Sequence, residues 1–446
     1  MRVRILGWWD DLRDSLWLIP SATVVFAAIL ATSLTRLEPL PAWLPDALVF
    51  GGTPDGARAV LAQLAGATIT VVGLVFSLTV LALQMAASQF TPRLLRTFLR
   101  DRRVQFVLSG MIGSAVYSVG VLRTVRSDGQ GVDAFVPRLA VTVAILLSFV
   151  AVGLLVYFLH HVTQRLRVDV VMGEIVTQSL AQLHALPVDR ETLPDIEAPA
   201  PSPDAIAVRS RLGGYLQLVD AEALALHARD ARIRVRLRPS LGDWVTEGTT
   251  IAWVWGDDDL RGPGDREELA DLVHRHVHLG RDRTESTDLA FGLRQLQDVA
   301  TRALSTGLND PTTAVLALGQ MSAVLCRYAG SPLGDHIIED EDGRPRVAVA
   351  RPTFAALLEL ACGATRRYGS EDPEVVAALL GMLTDVAEHV ADTSDRATAV
   401  RDQIERVLAS SDLHDPVDVA RVQRVAALAL GALERGSRVA SITEAT

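Results

Sequence analysis

The sequence predicts an α-helical membrane domain of four transmembrane helices followed by a cytosolic α+β region, with a small β-barrel-sandwich-like module and a helical bundle. Three observations carry that expectation. Four apolar runs in the first part of the chain reach spanning length. Charge divides the chain: residues 1–165 hold 14 Arg against 9 acidic residues, net +5, whereas residues 166–446 hold 29 Arg against 44, net −15. Beyond residue 200 the hydrophobic period alternates like a strand and then returns to helical spacing. The segments expected are a membrane domain over 1–165, a helix and linker over 166–203, a β module over 204–260 and a helical domain over 261–446.

The apolar runs are Leu16–Leu34, Ala59–Ala87, Val104–Leu122 and Val136–Leu159. A hydrocarbon core of roughly 30 Å needs about 20 helical residues, and each run supplies them. The first run contains Pro20 and lacks a small-residue cleavage site ahead of a soluble domain, so it reads as a retained anchor. Arg2, Arg4 and Arg13 precede the first run, Arg93, Arg96, Arg100, Arg102 and Arg103 lie between the second and third, and Arg165 and Arg167 follow the last. The other connections are mixed in sign, with Glu38, Asp46, Asp55, Asp128 and Asp133. The positive-inside rule then puts both termini in the cytosol of a bacterial inner-membrane protein. Trp8, Trp9 and Trp17 suit an interfacial aromatic belt.

No Asp or Glu lies within the four runs, so the carboxylates of proton-coupled pumps are missing. Polar and small residues concentrate in the second run. Gln63, Thr70, Ser77 and Gln84 share a seven-residue register, and Gly66 and Gly73 follow the first two by three positions. On a helix these six form one narrow stripe. Two readings stand: close packing of helices, which small residues permit, or a wet pathway lined by several copies around an axis. Either makes a homo-oligomer in the lipid bilayer the expected state. Ser88–Arg103 reads as an amphipathic helix on the inner leaflet or as a plain basic loop.

Composition excludes several chemistries. Of 446 residues 49 % are hydrophobic and the mean hydropathy is +0.25, high for a soluble chain. Every basic residue is Arg. Without Lys there is no phosphate-loop Lys, no Schiff base and no attachment point for biotin or lipoate. Cys326 and Cys362 lack metal-site or disulfide spacing and read as reduced thiols. The acidic soluble half argues against nucleic acid as a partner. No cofactor and no catalytic residue is expected, since no nucleophile–base pair, phosphate loop or metal cluster stands out.

In the soluble half, residues 187–203 are rich in Pro and acid and read as a linker. Arg232–Arg238 alternates, placing Ile233, Val235 and Leu237 on one face of a strand. With the turn through Gly242, the Gly248 turn and the run Thr250–Trp255, it resembles half of a biotinyl/lipoyl-type domain lacking its Lys. His274, His276 and His278 invite a metal reading. On the helix expected over Arg266–Leu279 only His274 and His278 share a face, and the more ordinary reading is a solvated helix. Helices follow from Ser286 onward, with further ones over Thr353–Tyr368, Pro373–Ala391, Ser394–Ala409 and Pro416–Leu433. In the first of these Arg294, Asp298 and Arg302 share a face, Gln295 lies beside them, and the loop Ser305–Thr313 returns Asn309 and Asp310 towards Arg302. One reading is a surface ion-pair ladder worth roughly 0.3–0.5 kcal/mol per pair with a helix cap at Asn309-Asp310-Pro311. The other is a polar pocket for a small anionic ligand.

Several stretches taken together resemble a bacterial membrane-protein family, domain of unknown function 2254. They are Phe76–Gln84, Ser88–Arg96, Leu99–Arg102, Phe158–His161, Gly280–Thr284, Phe291–Gln295 and Ala303–Ala314. The resemblance spans nearly the whole chain and implies a membrane protein, with no catalytic residues to carry over. Function is left between a passive channel or solute pathway regulated by its cytosolic half and a membrane-anchored sensor or scaffold.

Overall fold

The computed structural model describes residues 18–37, 49–89, 102–127, 134–165, 167–184, 195–256, 263–281, 283, 288–390 and 394–443. Trp8, Trp9, Trp17, most of the basic stretch Ser88–Arg103 and the N-terminal part of the expected linker lie outside these residues. The chain divides into two compact units, Met1–Val168 and Asp169–Thr446.

The first unit consists of α1 (Leu18–Thr35), α2 (Pro54–Gln89), α3 (Arg102–Leu122) and α4 (Arg138–Arg165). Each is long and apolar enough to cross a membrane. Helix α3 packs against the other three and is the most buried of them. Its glycines explain why. A methyl at Gly113 would lie 2.7 Å from Thr23 Cγ2, one at Gly120 2.8 Å from Ala31 Cβ, and one at Gly110 2.6 Å from Leu154 Cδ1. Both α1 contacts advance along the two helices together, so α1 and α3 run parallel with their backbones close, the approach small residues allow in a membrane.

The core of this unit is built largely of small residues: Ala27, Ala31, Ala57, Ala140 and Ala144 surround Leu61, Tyr117 and Val121. The Tyr117 hydroxyl is satisfied by the Ala140 carbonyl at 3.0 Å. A second cluster joins Val75, Val107, Met111, Ala151 and Phe158. Large apolar side chains point outward instead, among them Phe26, Ile29, Phe76, Phe149 and Val152. Burial of small residues with exposure of large apolar ones is the sorting a lipid solvent permits, since lipid tails are as apolar as Leu. At the end where α1 leads into α2, Arg58 donates to the Val125 carbonyl (3.0 Å) and Arg138 to that of Phe50 (2.8 Å).

The second unit begins with α5 (Val168–His184) and carries two sheets. One has the order β1 (Ile206–Arg209), β5 (Thr250–Gly256), β3 (Ile233–Leu237), β8 (Pro345–Val349), β7 (His336–Glu339). The other has β4 (Trp244–Val245), β2 (Gly214–Val219), β6 (Val277–Gly280). Ile233, Val235 and Leu237 face the core with Val208, Ile251, Val254, Val347 and Val349, and α6 (Ala221–Asp230) and α7 (Pro263–His276) contribute Leu224, Leu272 and Val273. The sheets reach beyond residues 204–260: β3 pairs in parallel with β8 and β2 pairs with β6.

The expected helix over Arg266–Leu279 stops at His276, because Val277, His278 and Leu279 extend to pair with β2. The remaining helices are α8 (Phe291–Ala303), α9 (Pro311–Ala329), α10 (Phe354–Tyr368), α11 (Pro373–His389), α12 (Ser394–Ser410) and α13 (Pro416–Thr443). Their starts follow local chemistry. Asp310, Thr353 and Asp372 each accept a backbone N–H of the first turn, and Pro311 and Pro373 stand where no N–H is needed.

Candidate functional site

Two sets of residues are candidates, one in each unit. In the membrane unit, α2 sends Ala57, Leu61, Ala65, Thr68 and Val75 inward. The six stripe residues Gln63, Gly66, Thr70, Gly73, Ser77 and Gln84 are all exposed on the outer side of the helix. A Cβ added at Gly66 or Gly73 would meet nothing within 4 Å. The two hydroxyls bond back to their own helix: Thr70 Oγ1 donates to the Gly66 carbonyl at 3.0 Å, and Ser77 Oγ to that of Gly73 at 2.9 Å. Bulky Ile69, Leu74, Phe76 and Leu81 flank the stripe, also exposed. The result is a shallow polar groove between apolar ridges, turned away from the other three helices.

In the second unit the six candidate residues differ in burial. Gln295 is buried on the core face of α8, whereas Arg294, Asp298 and Arg302 are half-buried on the adjoining side. The loop after α8 does fold back, since the Asp310 N–H donates to the Ala303 carbonyl at 2.8 Å. Asn309 is exposed and takes the left-handed backbone at φ 47°. The Asp310 carboxylate caps α9: it accepts the Thr313 hydroxyl at 2.6 Å and the Thr313 N–H at 3.1 Å. Those bonds hold it below the usual carboxylate range.

The residue near Arg294 that matters lies just ahead of α8, in neither of the motifs that flank it. Asp288 is 3 % exposed. Its Oδ1 accepts the Ala290 N–H at 2.9 Å, while Oδ2 is buried with no hydrogen-bond partner. Arg283 Nε lies 3.8 Å from that oxygen and donates to the Gly242 carbonyl. The Arg283 guanidinium stands over the Tyr215 ring at 5.6 Å, and its Nη2 lies 3.9 Å from Asp243 Oδ1. Burial pushes the Asp288 carboxyl up, against the opposing pull of Arg283, the Ala290 N–H and Arg294. Arg294 Nε is itself buried and unbonded. Gly242, at φ +86°, is required here, because a side chain would run into Asp288 Oδ2. Burial also raises the Tyr328 phenol, whose hydroxyl donates to the Leu289 carbonyl at 2.9 Å.

This charged node ties the antiparallel pair β2–β4 to the start of α8. The signal in the sequence was the pair of motifs Gly280–Thr284 and Phe291–Gln295, which contribute Arg283 and Arg294 to the surroundings of one buried carboxylate. The three histidines part company. His274 on α7 has Nε2 3.0 Å from the Arg209 carbonyl, His276 ends that helix, and His278 lies in β6. No group of three or more His, Cys, Asp or Glu among the described residues is placed to hold a metal ion. Cys326 and Cys362 are free thiols, and burial raises both.

Comparison with known proteins agrees with this picture. A family model described as "Predicted membrane protein (DUF2254)" matches residues 13–385. An uncharacterized protein of Mycobacterium tuberculosis is 38 % identical over 436 residues, which is 97 % of this chain and 83 % of the relative. An uncharacterized protein of Mycobacterium bovis matches to the same extent. No solved structure matches the chain. The family-model match over most of its length, together with these relatives, makes the chain a member of the DUF2254 family of predicted membrane proteins.

Proposed function

We propose that the protein works as a homo-oligomer in the bacterial inner membrane, where the outer faces of α2 from several copies form a passive channel or solute pathway. Both termini and the second unit lie in the cytosol, and the second unit regulates the pathway. The observation that carries this reading is the stripe on α2. Two exposed glycines and two self-bonded hydroxyls make a groove that lipid alone gives no reason to keep small and polar. A lumen lined by neutral hydroxyl and amide groups suits small polar solutes or weakly selected ions. The absence of carboxylates from the four apolar runs supports passive movement over proton-driven transport.

A second reading, a membrane-anchored sensor or scaffold, has its own support. The unbonded Nε of Arg294 beside buried Asp288 offers a donor to a small anionic ligand in the second unit. One experiment separates the two. Purified full-length protein in liposomes is expected to release entrapped small ions and polar solutes, and Ser77→Leu to abolish release while the oligomer stays intact. No release from the unaltered protein leaves the sensor reading; release unchanged by Ser77→Leu removes α2 as the lining.

A further inference from the structure

The histidine that ends α7 has a partner that spacing along the sequence does not reveal. The rings of His276 and His227, the latter from α6, have centroids 5.1 Å apart with planes inclined at 45°. His227 is exposed and His276 half-buried, so the pair opens to solvent. The backbone holds the two segments together, because the Asp220 N–H, at the start of α6, donates to the His276 carbonyl at 2.9 Å. The pair is therefore set by the fold and not by two mobile side chains meeting.

We propose that His227 and His276 form a two-histidine site for a borderline divalent transition ion of the Zn²⁺ or Ni²⁺ class, with water completing the coordination shell. The spacing fits. An ion about 2.0–2.1 Å from one nitrogen of each ring sits roughly 3.2 Å from each ring centre, and a tetrahedral angle then separates the centres by roughly 5.2 Å. The tautomer of His227 fits as well. Its Nδ1 lies 2.7 Å from the Ala223 carbonyl, so Nδ1 carries the proton and Nε2 keeps its lone pair for an ion. A histidine ligand oriented by a backbone carbonyl through its other nitrogen is the usual outer-shell arrangement.

The surroundings of His276 favour the neutral ring that a metal needs. Burial first, then the neighbouring His227 and Arg275, hold His276 below the usual imidazole range, while Asp220 pulls the other way. Asp220 also supplies negative charge near the incoming cation. The site differs from the His274/His278 pair considered from spacing alone, since those two residues now belong to a helix and a strand. A bound ion would cross-link α6 to the end of α7, where the chain turns into β6.

The test is calorimetric titration of Zn²⁺, and separately Ni²⁺, into the tag-free full-length protein in detergent. Losing an outer-shell partner of a metal ligand costs on the order of 10–100-fold in affinity. Losing a ligand itself is therefore expected to cost at least about tenfold. One ion per chain is expected, weakened to that extent in both His227→Gln and His276→Gln and unchanged in His274→Gln and His278→Gln. Because His227 is exposed, its variant folds even if His276→Gln does not. Lowering the pH through the imidazole range should release the ion as protons compete for the rings. Absence of saturable binding, or binding that survives His227→Gln, overturns the proposal.

Discussion

Replacing Arg396 with Met is expected to destabilise the second unit by about 3–5 kcal/mol, the usual cost of breaking a buried ion pair from one side. Arg396 is 3 % exposed. Its Nη2 donates to Asp195 Oδ1 at 2.7 Å and to the Ser331 carbonyl at 2.9 Å; its Nη1 donates to the carbonyls of Ala329 at 2.7 Å and Tyr328 at 3.3 Å. One guanidinium thus collects the carbonyls that end α9, while Asp195 uses Oδ2 to accept the Phe354 N–H that starts α10, at 2.7 Å. Met has comparable volume, so the loss is mainly electrostatic: the Asp195 carboxylate and the Ala329 and Ser331 carbonyls lose the donor that Arg396 supplies, while the Tyr328 carbonyl keeps backbone N–H donors. Thermal unfolding of the full-length protein should move to markedly lower temperature. The double variant Arg396→Met with Asp195→Leu should recover part of the loss by removing the stranded charge, but not the part owed to the carbonyls or to the Phe354 N–H, which loses its acceptor. A single variant that unfolds like the parent would show that the node does not hold this unit together.

Gly73→Leu carries the second large effect, and it acts on assembly. In a single copy nothing lies within 4 Å of a Cβ at position 73, so Leu fits there without disturbing its own four helices. If α2 faces a neighbouring copy, the same side chain fills the groove that lets the two backbones approach, and the oligomer should dissociate. The control is Ile69→Leu, a ridge residue that is already large and exposed. Light scattering on the detergent-solubilised protein should give a multiple of 48.1 kDa for the parent and for Ile69→Leu, with a smaller particle for Gly73→Leu. Equal masses for all three would mean that α2 meets lipid and not another copy.

The parts of this structure that were legible in the sequence are those set by local chemistry. The four spans appear within a few residues of their apolar runs, because spanning length is read directly from composition. The alternation of Arg with Ile233, Val235 and Leu237 gave β3, and Asp310-Pro311 gave the start of α9. What depended on distant partners was not legible. β8 joins β3 in parallel from more than 100 residues away, and nothing local in Pro345–Val349 identifies its neighbour. Val277–Gly280 continues a helical pattern, yet β2 claims it as a strand. The six residues grouped around Arg302 share a helix face or a loop, but the fold gives Asp310 to a cap and Gln295 to the core. The buried carboxylate is Asp288, whose partner Arg283 is met only through the turn at Gly242. His227 and His276, 49 positions apart, meet for the same reason.

The stripe on α2 is the feature on which the functional account depends. A wet pathway and a dry helix seam or lipid contact differ in one respect: only the first lets a charged reagent reach the middle of the span. The decisive measurement is labelling of single cysteines by a charged, membrane-impermeant thiol reagent, in intact assemblies whose Cys326 and Cys362 have been replaced. Ser77→Cys should be labelled and Phe76→Cys should not, although both positions are exposed on α2. Failure to label Ser77→Cys, or equal labelling at the two positions, would contradict a pathway along this helix.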